Sequence, residues 1–274
     1  MITCKEYTDL KKKELKAYIK EKNLHPTLVV IQVGDRPESN SYIRGKMRDC
    51  EEVGITLIHM VVSEEDVTQR ELEQVIRTYN HRDDVHGIIV QLPVPNKIDV
   101  KRIQKTIIAA KDVDGFGEFS KFHPCTPKGV IDYLKHIGYE FEGKDALVIG
   151  RSDIVGKPLA RMLTDLDCTV TLAHSKTKNV IDHMMAADVI FTAIDRIEYY
   201  DFMSSYNVFG DIIDIGLGVG EDGKLHGNIA HSELEYLRRR KPNGILISGT
   251  GGVGLLTRLA LLENVVKACE MQKG

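Results

Sequence analysis

"DALVIGRSDIVGKPLARML" occupies residues 145–163, and the way it reads decides the fold. Its first six residues are a short apolar run closed by Gly150, the pattern of a buried strand ending in a turn. A helix follows the turn, entered through Gly156. Glycines at a strand–helix junction let a phosphate approach the backbone N–H groups at the positive end of the helix. The spacing is not GxGxxG, so the generic dinucleotide fingerprint is absent, and a tight βα turn without a ligand remains open on this stretch alone.

The flanking sequence narrows the choice. "TVTLAH" (169–174), "DVIFTAI" (188–194), "DIIDIG" (211–216) and "GILISG" (244–249) are further strand candidates, with helical patterns between several of them. That series predicts a doubly wound nucleotide-binding domain. The strand after the turn runs into "AHSKT", where a cofactor lacking a 2′-phosphate usually meets an acidic side chain. Ser175 and Lys176 stand there instead, and Arg151 follows the first glycine. A hydroxyl with basic groups suits a 2′-phosphate, so NADP is expected over NAD.

Towards the N-terminus, "TLVVIQVG" (27–34), "TLIHMVV" (56–62) and "HGIIVQLPVP" (86–95) read as strands. Between them lie "PESNSYIRGKMRDCEEVG" and "SEEDVTQRELEQVIRTYN", helical in pattern, the second with Ser63 or Thr68 as N-cap; "DVKRIQKTIIAA" follows as a third helix. Strand–helix units with continuous apolar strands imply another parallel sheet covered on both faces. The expected class is α/β, with two domains built on parallel sheets. The closing "LLTRLALLENVVKACEMQK" reads as a long amphipathic helix that packs back on the first domain. The expected division is therefore 1–118 plus 252–274 for one domain and 119–251 for the other.

Bulk properties exclude several classes. A length of 274 residues with 42% hydrophobic and 28% charged content fits a globular pair of domains, and a net charge of −3 gives no footprint for nucleic acid or an anionic membrane. The basic run Arg238 to Lys241 reads as a solvated helix end. Five widely spaced cysteines without CxxC suggest neither a disulfide framework nor zinc, and the histidines show no HExxH, so no metal is expected. The charged N-terminal helix is not a signal peptide, and no apolar run is long enough to span a bilayer. A reduced, cytoplasmic protein is expected.

In the first half, "SYIRGK" (41–46) places Tyr42 and Lys46 about one helical turn apart, so they share a face. Gln91 and Asp114 lie at the carboxyl ends of elements, where open α/β sheets hold their ligands, and the four can converge on one cleft facing the second domain. Taken singly, each has a plain reading: a solvated helix face, a strand-end polar residue, a turn former before Gly115.

The motifs "VGDRPESNSYIRGKMRDCEEVGI", "HGIIVQLPVP", "KDVDGF", "PCTPKGV", "VIGRSDIVGKP", "HSKT", "DGKLHGNI" and "GGVG" occur in one order over nearly the whole chain. In this the sequence resembles the bifunctional methylenetetrahydrofolate dehydrogenase/methenyltetrahydrofolate cyclohydrolases. The resemblance implies an N-terminal α/β catalytic domain and a Rossmann-like cofactor domain. It implies NADP-dependent oxidation of 5,10-methylenetetrahydrofolate, then hydrolysis to 10-formyltetrahydrofolate, in a cytoplasmic homodimer serving one-carbon metabolism and purine biosynthesis. Lys46 would move protons as water attacks the methenyl carbon, partial burial bringing its amine towards neutrality. Tyr42 would stack on the folate, Gln91 would bond Lys46, and Asp114 would accept from the pterin edge. Val90 and Leu92 complete the implied substrate contacts. Gly150, Arg151 and Ser152 would meet the cofactor phosphates, Ser175 the 2′-phosphate, and Leu217 the cofactor further along. "PCTP", with Cys125, would be structural rather than a thiol nucleophile.

Three departures accompany the match. Only "FGEFSKFH" (116–123) separates "KDVDG" from "PCTP", a shortened connection. The family's "TPVPGGVGPMT" stands as "ISGTGGVGLLT" (247–257), with Ser248, Thr250 and Leu255 for prolines, which should loosen the wall beside the aminobenzoate. The family's A-x-G-x-P reads "AIDRIEYY", with Asp195 and Arg196 where a small residue admits the cofactor. Two other readings follow: a divergent paralogue that binds folate or nucleotide with little dehydrogenase turnover, and an unrelated dehydrogenase using Lys46 as proton donor.

Overall fold

The computed structural model describes residues 2–194, 210–219, 225–229, 231–241 and 244–273. The chain forms two compact units, Thr8–Cys125 with Arg258–Gly274, and Met1–Tyr7 with Thr126–Thr257. These divisions fall at 7/8, 125/126 and 257/258, where the sequence suggested only 118/119 and 251/252, with residues 1–7 in the first domain. The reason is local: the 116–123 connection is tied to the preceding "KDVDG" turn, and the C-terminal boundary lies inside a continuous helix.

In the unit of residues 8–125 and 258–274, β1 (Thr27–Val33), β2 (Thr56–Val62) and β3 (Gly87–Gln91) form a parallel sheet in the order β2-β1-β3. Helix α1 (Cys4–Glu21) precedes them, α2 (Pro37–Val53) and α3 (Gln69–Asn80) make the crossovers, and α4 (Val100–Thr106) follows. Alternate side chains of β1 leave opposite faces. Leu28 and Val30 join Ile43 and Cys50 of α2, while Val29 and Ile31 join Leu72 and Ile76 of α3. Both faces are buried, which is why Leu28 to Ile31 is an unbroken apolar run. Thr68, not Ser63, caps α3, in a reciprocal box with Glu71. β3 stops at Gln91 rather than reaching Pro95, because Pro93 and Pro95 have no N–H for a ladder. Likewise α4 ends at Thr106, short of the expected Ala110.

The last helix, α9 (Gly254–Lys273), is not amphipathic in use. Ala260, Leu261, Leu262, Val265, Val266, Ala268 and Cys269 are all buried in the cluster that holds Leu28 and Ile43, so the helix is enclosed on most sides. Arg258 of α9 and Lys12 of α1 both reach the carboxylate of Asp49 on α2, at 2.5 Å each, joining the three helices.

The unit of residues 126–257 carries a five-stranded parallel sheet. Along the chain run α5 (Cys125–His136), β4 (Asp145–Ile149), α6 (Gly156–Thr164), β5 (Thr169–Ala173), α7 (Val180–Ala186), β6 (Val189–Thr192) and β7 (Asp211–Asp214). A hairpin of β8 (Gly218–Val219) and β9 (Leu225–His226), then α8 (His231–Arg240), β10 (Leu246–Ile247) and a π-helical turn (Gly249–Val253) complete it. The order is β10-β7-β6-β4-β5. Numbered by appearance this is 2-1-3-4-5 from the β5 edge, and the direction of winding switches between β4 and β6. The strands after β5 are shorter than their apolar runs, and the surplus residues form the loops at the carboxyl edge. The sequence patterns did not predict α5 or the β8–β9 hairpin.

Candidate active site

Both sheets place chemistry at a switch point. In the three-stranded sheet the switch lies between β1 and β3, and α2 starts just after β1 with Pro37 at its first turn. Tyr42 and Lys46 fall on one face of α2. Gln91 ends β3, paired in register with Gln32 of β1. Lys46 Nζ donates to Gln91 Oε1 at 3.0 Å, and Gln91 Nε2 donates to the Leu92 carbonyl at 2.7 Å. The second bond fixes which end of the amide faces the lysine. A cavity of about 210 Å³ opens beside this pair, lined by Ser39, Tyr42, Gln91, Leu92 and Pro93. Tyr42 is 38% exposed, so one side of its ring is free to stack. Ser39 was missed in the sequence; its position three residues before Tyr42 on α2 was the available signal. The Val90 side chain packs in the core with Ile31 and Leu72, so only its backbone neighbours the cavity residues.

Asp114 is carried by a stiff turn. The buried Asp112 carboxylate accepts from Gly117 N at 2.7 Å and from the Phe116 amide, and its carbonyl accepts from Gly115 N at 3.1 Å and Ser120 Oγ at 3.0 Å. Gly115 adopts φ +74°, and a Cβ there would lie 2.6 Å from the His123–Pro124 backbone. The shortened 116–123 segment is thus a folded turn around Asp112. Burial pushes the Asp114 carboxyl up to about 6 from an ordinary 3.8; the Lys46 cation pulls it back down and Asp112 pushes it up. Lys46, Gln91 and Asp114 are therefore one electrostatic group. Cys125 is buried, donating to the Val113 carbonyl at 3.3 Å beside Asn264, as a structural thiol does.

In the five-stranded sheet a cavity of about 640 Å³ sits at the β4/β6 switch, and Gly150, Arg151, Ser152, Ser175 and Leu217 all line it. Gly150 has φ +122°, and a Cβ on it would come within 2.2 Å of the Ala193 carbonyl. A Cβ on Gly156 would be 2.0 Å from the Gly150 carbonyl. Turn, helix start and neighbouring strand end are packed backbone to backbone. Ser152 Oγ accepts from Val155 N at 3.2 Å and Gly156 N at 3.3 Å, ordering the entry to α6. Arg151 and Ser175 are exposed at the rim. A backbone cradle at a helix start, a cation and a hydroxyl fit a dinucleotide with a phosphorylated ribose. His174 and Thr177 line the cavity, whereas Lys176 does not. Ala193, Ile194, Ile215 and Gly216 also line it and were not foreseen, since only pairing of β6 and β7 beside β4 brings them there.

Of the sequence departures, Asp195 and Arg196 lie outside the described residues. The proline-free 247–257 segment is not an open loop. It forms the π-helical turn, with Ser248 and Thr250 hydroxyls 3.2 Å apart and the Gly249 amide bonded to the Asp214 carboxylate.

Comparison with known proteins agrees over the full length. The family model for the tetrahydrofolate dehydrogenase/cyclohydrolase catalytic domain matches residues 2–114, and that for the NAD(P)-binding domain of the same family matches residues 124–273. The bifunctional protein FolD of Campylobacter jejuni is 39% identical over 270 residues, covering 94% of this chain and 93% of that protein. The crystal structure of FolD from Campylobacter jejuni superposes with a TM-score of 0.87 at 36% identity, covering 98% and 97% of the two chains. Trypanosoma brucei FolD, crystallised with NADP and an inhibitor, gives 0.86 at 26% identity and covers 99% and 97%. The chain belongs to the tetrahydrofolate dehydrogenase/cyclohydrolase family.

Proposed function

We propose that this protein oxidises 5,10-methylenetetrahydrofolate with NADP and hydrolyses the methenyl product to 10-formyltetrahydrofolate. The observation that carries the reading is the Lys46–Gln91 hydrogen bond at the end of β3, within the electrostatic reach of Asp114 and beside the exposed Tyr42 ring. Gln91, which lines the cavity, takes one hydrogen of the Lys46 ammonium and leaves two for other partners. Held this way, Lys46 gives a proton to, or takes one from, the atoms changing charge as water adds to the methenyl carbon. Asp114 accepts from the pterin N–H edge in its ionised form, and Tyr42 covers the ring face. Bound NADP would supply the hydride acceptor, and the Gly150–Ser152 turn would meet its phosphates.

The preference for NADP rests on Arg151 and Ser175 at the rim, and the NADP complex of the Trypanosoma brucei relative supports it. The reading extends to a cytoplasmic homodimer that feeds one-carbon units to purine biosynthesis, as the family resemblance suggests.

The test is absorbance-monitored turnover of 5,10-methylenetetrahydrofolate with NADP and NAD in parallel, on the parent and on Arg151→Ala. Reduction with NADP, then decay of the methenyl absorbance above the spontaneous rate, is expected. The variant should lose more affinity for NADP than for NAD; equal loss removes the 2′-phosphate contact from the reading. No turnover with either cofactor, with folate still bound, would replace the enzyme by a binding paralogue.

A further inference from the structure

The wall of the large cavity beyond β6 is built by two buried side chains that do not line it. The β6 ladder with β4 and β7 runs to Thr192, and Ile194 lies past the paired residues. There the side-chain amide of Asn228 takes both backbone groups of Ile194. Its Oδ1 accepts from Ile194 N and its Nδ2 donates to Ile194 O, each at 3.1 Å. One side chain thus makes the pair of bonds that a neighbouring strand would make.

Asn228 is fully buried and is itself placed by Asp214, the last residue of β7, which pairs in register with Thr192. The Asp214 carboxylate accepts from Thr192 Oγ1 at 2.7 Å, Asn228 N at 3.0 Å, Ile229 N at 3.3 Å and the Gly249 amide. Four donors fill the lone pairs of an ionised carboxylate. The fit leaves no room: a Cβ on Gly216 would stand 1.8 Å from Asn228 Oδ1, and one on Gly227 would stand 1.9 Å from Asp214 Oδ2. The π-helical turn is drawn into the same group, since a Cβ on Gly249 would be 2.7 Å from the Gly216 carbonyl.

Ile194, Gly216 and Leu217 are the cavity residues this network fixes. In a sheet of this order the pyrophosphate lies at the turn after the first strand and the 2′-substituted ribose at the second, here β4 and β5. The wall beyond β6 and β7 is therefore left to the other end of the dinucleotide. We infer that Asn228, held by Asp214, is a positioning residue for the nicotinamide half of the cofactor, clamping Ile194 so that the wall has one shape. The inference rests on the NADP reading of the site.

The experiment compares two ligands on the full-length protein by calorimetry: NADP, and 2′-phospho-ADP-ribose, which lacks the nicotinamide. Asn228→Leu keeps the side chain's size and removes both bonds to Ile194. Binding of NADP should weaken about tenfold or more, the loss of one to two net hydrogen bonds. Binding of the fragment should stay within about twofold, as should hydrolysis of 5,10-methenyltetrahydrofolate, which depends on Lys46 in the other unit. Thr192→Val removes one of the Asp214 donors without touching Ile194, and should show the same selectivity at smaller size, so it decides the matter where the leucine variant does not fold. Equal weakening of both ligands, or of neither, overturns the inference. Failure of the functional reading looks different: the parent protein would bind both ligands without oxidising methylenetetrahydrofolate.

Discussion

Replacing Asp114 by asparagine should stabilise the folded protein near neutral pH while removing its grip on substrate. The carboxyl is raised to about 6 from 3.8, mainly by burial. A folded-state value above the unfolded one means that the native protein holds this proton more tightly. The ionised group therefore costs stability; that cost is absent below about pH 4 and complete above about pH 6. The shift of about two units corresponds to about 3 kcal/mol at pH 7.5, and to about 1 kcal/mol at pH 4.5, where the unfolded carboxyl is only partly ahead in ionisation. A side-chain amide in place of the acid carries no such dependence. The gain of Asp114→Asn over the parent should then grow by about 2 kcal/mol between these two pH values. Urea unfolding followed by circular dichroism and tyrosine fluorescence measures it, the chain having no tryptophan. Any fixed cost of the amide cancels in the difference between the two pH values. A gain that is the same at pH 4.5 and pH 7.5 would refute the argument that the site holds a carboxylate against its own desolvation. The corresponding functional result is an acid limb near pH 6 in folate binding by the parent, lost in the variant.

Three further outcomes are expected. Lys46→Ala should abolish cyclohydrolase turnover, measured as decay of methenyl absorbance, and full hydrolysis in that variant would remove Lys46 from the mechanism. Gly150→Ala should lose measurable NADP binding by calorimetry, because φ +122° and a Cβ 2.2 Å from the Ala193 carbonyl force the turn open; undiminished affinity would show that the cradle tolerates movement. Lys111→Met should lower stability by about 1–3 kcal/mol in urea unfolding. The Lys111 ammonium donates to the carbonyls of Tyr79, Asn80 and Arg82 at 3.3, 2.9 and 2.6 Å, and an apolar side chain leaves them buried or open to water. A change below about 0.5 kcal/mol would mean that solvent replaces the lysine at that helix end.

Much of the molecule was legible in the order of its residues. Short apolar runs rich in β-branched residues marked β1 to β7, since strands of a helix-covered parallel sheet are apolar at most positions. Tyr42, Lys46, Gln91, Gly150, Arg151 and Ser175 could be singled out because helical spacing and the strand-to-loop junctions are local properties. Strand ends, by contrast, were overrun: "DIIDIG" continues two residues past β7 and "DVIFTAI" two past β6, for the apolar pattern persists where the ladder does not. Those overrun residues are the ones that line the cofactor cavity. The closing helix reads as amphipathic, yet it lies enclosed in the first unit's core, a fact set by neighbours distant in sequence. The same holds for Asp214 and Asn228, polar residues with no local signature. Asp214 is met by Thr192, Asn228, Ile229 and Gly249, and Asn228 by Ile194, groups that only the folded chain brings together. Sequence determined which groups were candidates for the chemistry, through spacing within one element and position at strand ends. Tertiary structure decided what holds them still and how acidic Asp114 is, because burial and charge proximity exist only between elements.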